Sequence, residues 1–120
     1  MDPEQLAENR RQLARLARQK RKRRVPRELP CTWQPWTVIN PEDNQPFTDA
    51  GAWEFAAQML EDIAGQNVEV ITLTERPAGT TAYVMKRNLP TGELYIKVHY
   101  GNGPSILGRS FHYSEHRRQP

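Results

Sequence analysis

The sequence predicts an α+β domain. One amphipathic helix packs on a 3-4 stranded antiparallel sheet, preceded by a basic helical arm and an extended linker that contains proline and tryptophan. Three observations lead there. A segment after residue 47 carries apolar residues at helical spacing. The chain from residue 68 to 113 falls into short alternating runs separated by turn residues. The positive charge is gathered ahead of both. At 120 residues there is room for one domain, and 37% hydrophobic with 26% charged residues is a globular composition.

The basic arm spans residues 1–24. Strong helix formers run from Pro3 to Lys22, and a proline suits the first turn of a helix. Leu6, Leu13, Leu16 and Ala17 make only a thin apolar stripe, so the helix is expected to gain little from packing and to form on a partner. Residues 1–28 hold ten Lys and Arg against four acids, a balance of +6, whereas residues 29–120 hold seven against ten, a balance of −3. Arg15, Arg18, Lys20, Arg21, Lys22, Arg23 and Arg24 are therefore the candidate nucleic-acid contacts. Neutralised phosphates would supply salt-sensitive affinity without a base code. A solvated tail and a helix that docks in a partner protein are the two other readings of the same residues.

From residue 25 to 46, Pro26, Pro30, Pro35, Pro41 and Pro46 forbid a long helix or a central strand. Trp33 and Trp36 lie within this linker, which is expected to run extended across the domain surface. The compact domain follows at residues 47–113. Thr48 or Asp49 offers an N-cap for a helix reaching about Ala64. Ala52, Phe55, Ala56, Met59, Leu60 and Ile63 form its apolar face, and Gly65 stops it. Strands are expected at Val68–Leu73, Ala82–Arg87, Leu94–Tyr100 and Ile106–Tyr113. The turns Pro90-Thr91-Gly92 and Gly101-Asn102-Gly103-Pro104 make the last three an antiparallel meander. Residues 114–120 are a polar tail.

Several function classes are excluded or disfavoured. No run approaches the roughly 20 apolar residues of a membrane span, and the N-terminus has no apolar signal region. Cys31 is the only cysteine, so an intrachain disulfide and a cysteine zinc site are ruled out, and a reducing, cytoplasmic setting is the simplest expectation. Glycine-rich phosphate loops, nucleophile elbows and EF-hand patterns are missing, and no cofactor is implied. His112 and His116 stand four apart, but no third metal ligand accompanies them.

Alternation along the best strand puts Leu94, Ile96, Val98 and Tyr100 on one face and Tyr95, Lys97 and His99 on the other. The last strand adds Arg109, Ser110 and His112, with Gly108 marking a bulge that alters their facing. Lys97 and Arg109 suit a phosphate. His99 or His112 suits proton transfer, and Tyr95 suits a base. The same residues also suit the wet face of an ordinary antiparallel sheet.

The stretch Leu89-Pro90-Thr91-Gly92-Glu93-Leu94-Tyr95-Ile96-Lys97-Val98, followed by Ser110-Phe111, resembles the MqsR-type toxins, bacterial mRNA interferases of the wider RelE-like class. The resemblance covers about residues 48–113, with detail over 82–112. It implies a helix-on-sheet fold, metal-independent RNA cleavage through the 2′-hydroxyl, and neutralisation by a cognate antitoxin. By position, Tyr95 matches the family's functional tyrosine, Lys97 the lysine beside it, and His112 the basic residue after Ser-Phe. The family's Phe-Tyr-Lys-Ser-Met segment has no counterpart around Val68–Thr74, and its Trp-Gln before the turn is lost near Thr81-Ala82. Two functions follow as expectations. One is a metal-independent endoribonuclease acting on mRNA or the ribosome, with Lys97, Arg109, His112, His99 and Tyr95 as its site. The other is a non-catalytic phage or mobile-element protein that engages nucleic acid or a host complex through its basic arm.

Overall fold

A computed structural model describes residues 2–62 and 68–114. The expected end of the second helix at Ala64 and Gly65, its Ile63, the tail beyond Ser114 and His116 lie outside the described residues.

The chain is α+β, with two helices on one face of a mostly antiparallel sheet. Helix α1 spans Pro3–Ala17, and its N-cap Asp2 accepts from the Gln5 amide at 2.8 Å. A 3-10 turn at Lys20–Lys22 leads into the two-residue strand β1 (Arg23–Arg24), and β2 is Thr32–Trp33. A small antiparallel ribbon of β3 (Ile39–Asn40) and β4 (Gln45–Pro46) precedes helix α2 at Asp49–Glu61. Thr48 caps α2 by accepting from the Gly51 amide at 3.0 Å. The strands β5 (Val68–Thr72), β6 (Thr81–Leu89), β7 (Gly92–Tyr100) and β8 (Ile106–Tyr113) form the antiparallel meander. The sheet order is β1-β8-β7-β6-β5, and β2 also pairs with β8.

Two expectations change here. The sheet has six strands rather than three or four, because the linker adds β1 and β2 in parallel along β8, at Ile106–Leu107 and at Ser110–Phe111. Pro26 and Pro30 fall between those short pairings, Pro35 opens a 3-10 turn, and Pro46 sits in the two-residue strand β4 opposite Ile39. The second change concerns α1, which is part of the core and not a free arm. Leu13, Ala14 and Ala17 are fully buried, and Leu16 nearly so. The stripe is thin in carbon but made of small residues, and α2 answers with its own buried Ala52, Ala56 and Ala57, so the two backbones can approach closely.

The core lies between the helices and the sheet. Leu94, Ile96, Val98, Ile106 and Phe111 fill the sheet side. Trp33 sits at the centre, 4.4 Å from the Trp53 ring and 5.2 Å from Phe111, with its indole N–H donated to Asp49. Gly108 lies beneath it, and a Cβ there would come within 2.7 Å of the indole. Trp36, by contrast, is 64% exposed.

Candidate functional site

The sheet face turned away from the helices carries the predicted chemistry. Cross-strand register sets Tyr95 between Lys86 on β6 and His112 on β8, and Lys97 between Val84 and Ser110. Opposed residues in an antiparallel sheet share a face. These groups divide into two clusters with different exposure.

The first cluster is buried. Lys97 pairs with Ser110 but Val98 pairs with Gly108, so Arg109 is the extra residue of a β-bulge. Its side chain is fully buried and all three nitrogens are engaged. Nε donates to the Pro30 carbonyl at 2.8 Å and Nη1 to His99 Nε2 at 3.0 Å. Nη2 donates to the Glu75 carboxylate and to the Arg76 carbonyl, both at 2.9 Å. His99 holds its Nδ1 2.7 Å from the Tyr100 carbonyl, which requires the proton on Nδ1 and leaves Nε2 as acceptor for Arg109. The imidazole is thus neutral. Burial pushes its pKa below the usual value, and the charges of Arg109 and Lys97 push the same way against the Tyr100 bond. Lys97 Nζ lies 3.6 Å from Glu75. This corrects the sequence reading. Arg109 and His99 form an internal knot with no nitrogen left for a substrate.

The second cluster is half-exposed. The rings of Tyr95 and His112 stack at 5.4 Å between centroids and 20° between planes. His112 Nδ1 lies 2.7 Å from the Tyr113 carbonyl, which again places the proton on Nδ1 and leaves Nε2 as the basic nitrogen. Lys86 Nζ stands 6.0 Å from the centre of the Tyr95 ring. Burial, with the nearby Glu69 and Glu75 carboxylates, raises the Tyr95 pKa. Tyr95, His112, Lys86 and the more withdrawn Lys97 can therefore stack a base, accept a proton and stabilise an anion on one surface.

Sequence reasoning missed Lys86 and Glu75. Lys86 was within reach, because counting back from the Pro90-Thr91 turn pairs it with Tyr95. Glu75 had no local signal, being one acid in the connection between β5 and β6.

The arm residues also divide. Arg10 donates through Nε to the Leu60 carbonyl at 2.9 Å and also to the Asp62 carbonyl, at the end of α2 where a cation is favourable. Arg11 pairs with Glu8 at 2.8 Å, and Arg15 lies 3.9 Å from the same carboxylate. Arg18 bridges Glu54 at 3.1 Å and also Glu61, and both carboxylates raise its pKa. Arg18, taken from the sequence as a nucleic-acid contact, instead ties α1 to α2. Among the described residues, none of Lys20, Arg21, Lys22, Arg23, Arg24 and Arg27 forms an ion pair. Five of them are consecutive: Lys20, Arg21 and Lys22 in the 3-10 turn, then Arg23 and Arg24 paired with β8, with the Arg23 guanidinium donating to the Ala17 carbonyl at 3.1 Å.

Among the described residues, no helix is long and apolar enough to cross a membrane. No protein-family model, curated protein or solved structure matches this chain.

Proposed function

We propose that this protein cleaves RNA in the manner of the interferase toxins its sequence resembles, with Tyr95 and His112 at the reacting centre. The supporting observation is the stacked pair itself. A half-exposed histidine has its Nδ1 proton committed to a carbonyl and its Nε2 left basic, next to an aromatic ring and two lysines on one sheet face. His112 Nε2 takes the proton of a ribose 2′-hydroxyl, and that oxygen attacks the adjacent phosphorus. The bond from phosphorus to the 5′-oxygen breaks, leaving a 2′,3′-cyclic phosphate, and solvent protonates the departing oxygen. Lys86 and Lys97 stabilise the charge that develops on the phosphate. Tyr95 stacks a neighbouring base. Glu75 holds Lys97 in place. A cognate antitoxin would neutralise the protein by covering this face.

The test is cleavage of an end-labelled, mixed-sequence RNA without added metal. His112→Ala is expected to slow cleavage by roughly 100-fold or more while the fold is kept, as for loss of a general base. Lys86→Ala should slow it less. No cleavage by the wild-type chain, or full activity in His112→Ala, sinks this reading.

The cations of Lys20–Arg24, which form no ion pair among the described residues, favour a second reading, a non-catalytic phage or mobile-element protein that engages nucleic acid or a host complex. It is tested by charge removal, not by deleting residues 1–24, because α1 belongs to the core. Replacing Lys20, Arg21, Lys22, Arg23 and Arg24 with Gln should abolish salt-sensitive RNA binding under this reading, while His112→Ala leaves it unchanged.

A further inference from the structure

The buried knot around Arg109 sits behind a cleft of about 470 Å³ that His99 helps to line. That volume is within the range of about 300 to 1,000 Å³ typical of small-ligand sites. Leu29, Pro77 and Leu107 contribute apolar walls, Thr80 and His99 are polar, and Arg24 brings a cation. Arg24 is exposed, has no ion pair among the described residues, and continues the row that begins at Lys20. Two of the walls are set by the knot. Arg109 binds the carbonyls of Pro30 and Arg76, which directly adjoin Leu29 and Pro77, and it holds His99 by Nε2. One buried guanidinium thereby fixes two loops and a strand residue around one space.

We propose that this cleft takes a single unstacked nucleotide of a single-stranded RNA, its base between the Leu29, Pro77 and Leu107 walls and its phosphate on Arg24. The proposal rests on the RNA-cleavage reading above, in which RNA is the ligand. A slot with apolar walls and polar groups in similar number, beside cations that form no ion pair among the described residues, matches a flat base joined to an anion. Arg109 is then a positioning residue that shapes the slot without touching the RNA.

The experiment uses the full chain and a 12-nucleotide RNA with 2-aminopurine at its centre, its 2′-hydroxyls methylated to prevent cleavage. Affinity is read by anisotropy, and unstacking by the 2-aminopurine emission. Wild type should bind and raise the emission. Thr80→Trp and, at the rim, Asn102→Trp fill the cleft without removing charge. Each should weaken binding roughly tenfold, the change expected for losing one base contact, and abolish the rise in emission. Arg24→Gln should lower the salt slope by about one. If both tryptophan variants melt as wild type does and still bind with the emission rise, the cleft is not the site, although RNA binding stands. Absence of binding by wild type removes the RNA reading and this proposal with it.

Discussion

Arg109 is fully buried, and desolvating a guanidinium costs several kcal/mol unless its N–H groups find acceptors. Here Pro30, His99, Glu75 and Arg76 accept four such bonds, at least one from each of its three nitrogens. Arg109→Ala leaves two carbonyls, an imidazole nitrogen and a carboxylate without their donor, and it should cost about 3 to 5 kcal/mol in a urea melt. His99 adds a pH dependence to the same knot. Its folded pKa lies below the ordinary 6.5, so in the window between them the unfolded chain binds the extra proton. Stability contributed by neutral His99 is complete above pH 6.5 and is lost as pH falls below it, by at most about 1.4 kcal/mol per pH unit. The groups facing the imidazole are Arg109, Lys97 and Glu75, and the two cations oppose its protonation. Urea melts from pH 8 to pH 5 should show that slope in wild type. His99→Gln, which keeps an acceptor for Arg109, should flatten it. At this scale the sequence was legible in kind but not in role. Alternation put Tyr95, Lys97 and His99 on one face, whereas the bulge beside Gly108 and the distant Glu75 decided which side chains became internal.

The first helix carries the clearest lesson at the level of elements. Its composition is that of a nucleic-acid arm, yet Leu13, Ala14, Leu16 and Ala17 belong to the core, and Arg10 and Arg18 fasten it to α2. Leu13→Ala should therefore destabilise the protein by about 2 to 5 kcal/mol, the range for truncating a buried leucine. A helix that ordered only on a partner would give no change in the same chemical melt. Hydrophobic periodicity undervalues a contact made by alanines, because they bury little area each but permit close approach. The long strands β6, β7 and β8 were plain in the sequence, since alternation and tight turns act locally. Strands β1 and β2 were not, because two-residue pairings in a proline-rich linker exist only once β8 offers its edge.

For the molecule as a whole, order of elements and class of fold followed from patterns within single segments, and the candidate site did not. Its two clusters depend on register across three strands and on a connection that folds over the sheet. The linker that runs beside β8 has one more effect. It shuts that margin of the sheet along two stretches, while β5 at the opposite margin has a strand on one side only among the described residues. A growing fibre needs two open margins on every copy, one to receive a strand and one to offer it. Among the described residues this chain presents one long open margin, since β8 is covered at Ile106–Leu107 and Ser110–Phe111. Strand-to-strand association between copies is thereby directed to β5, where it closes a pair back to back.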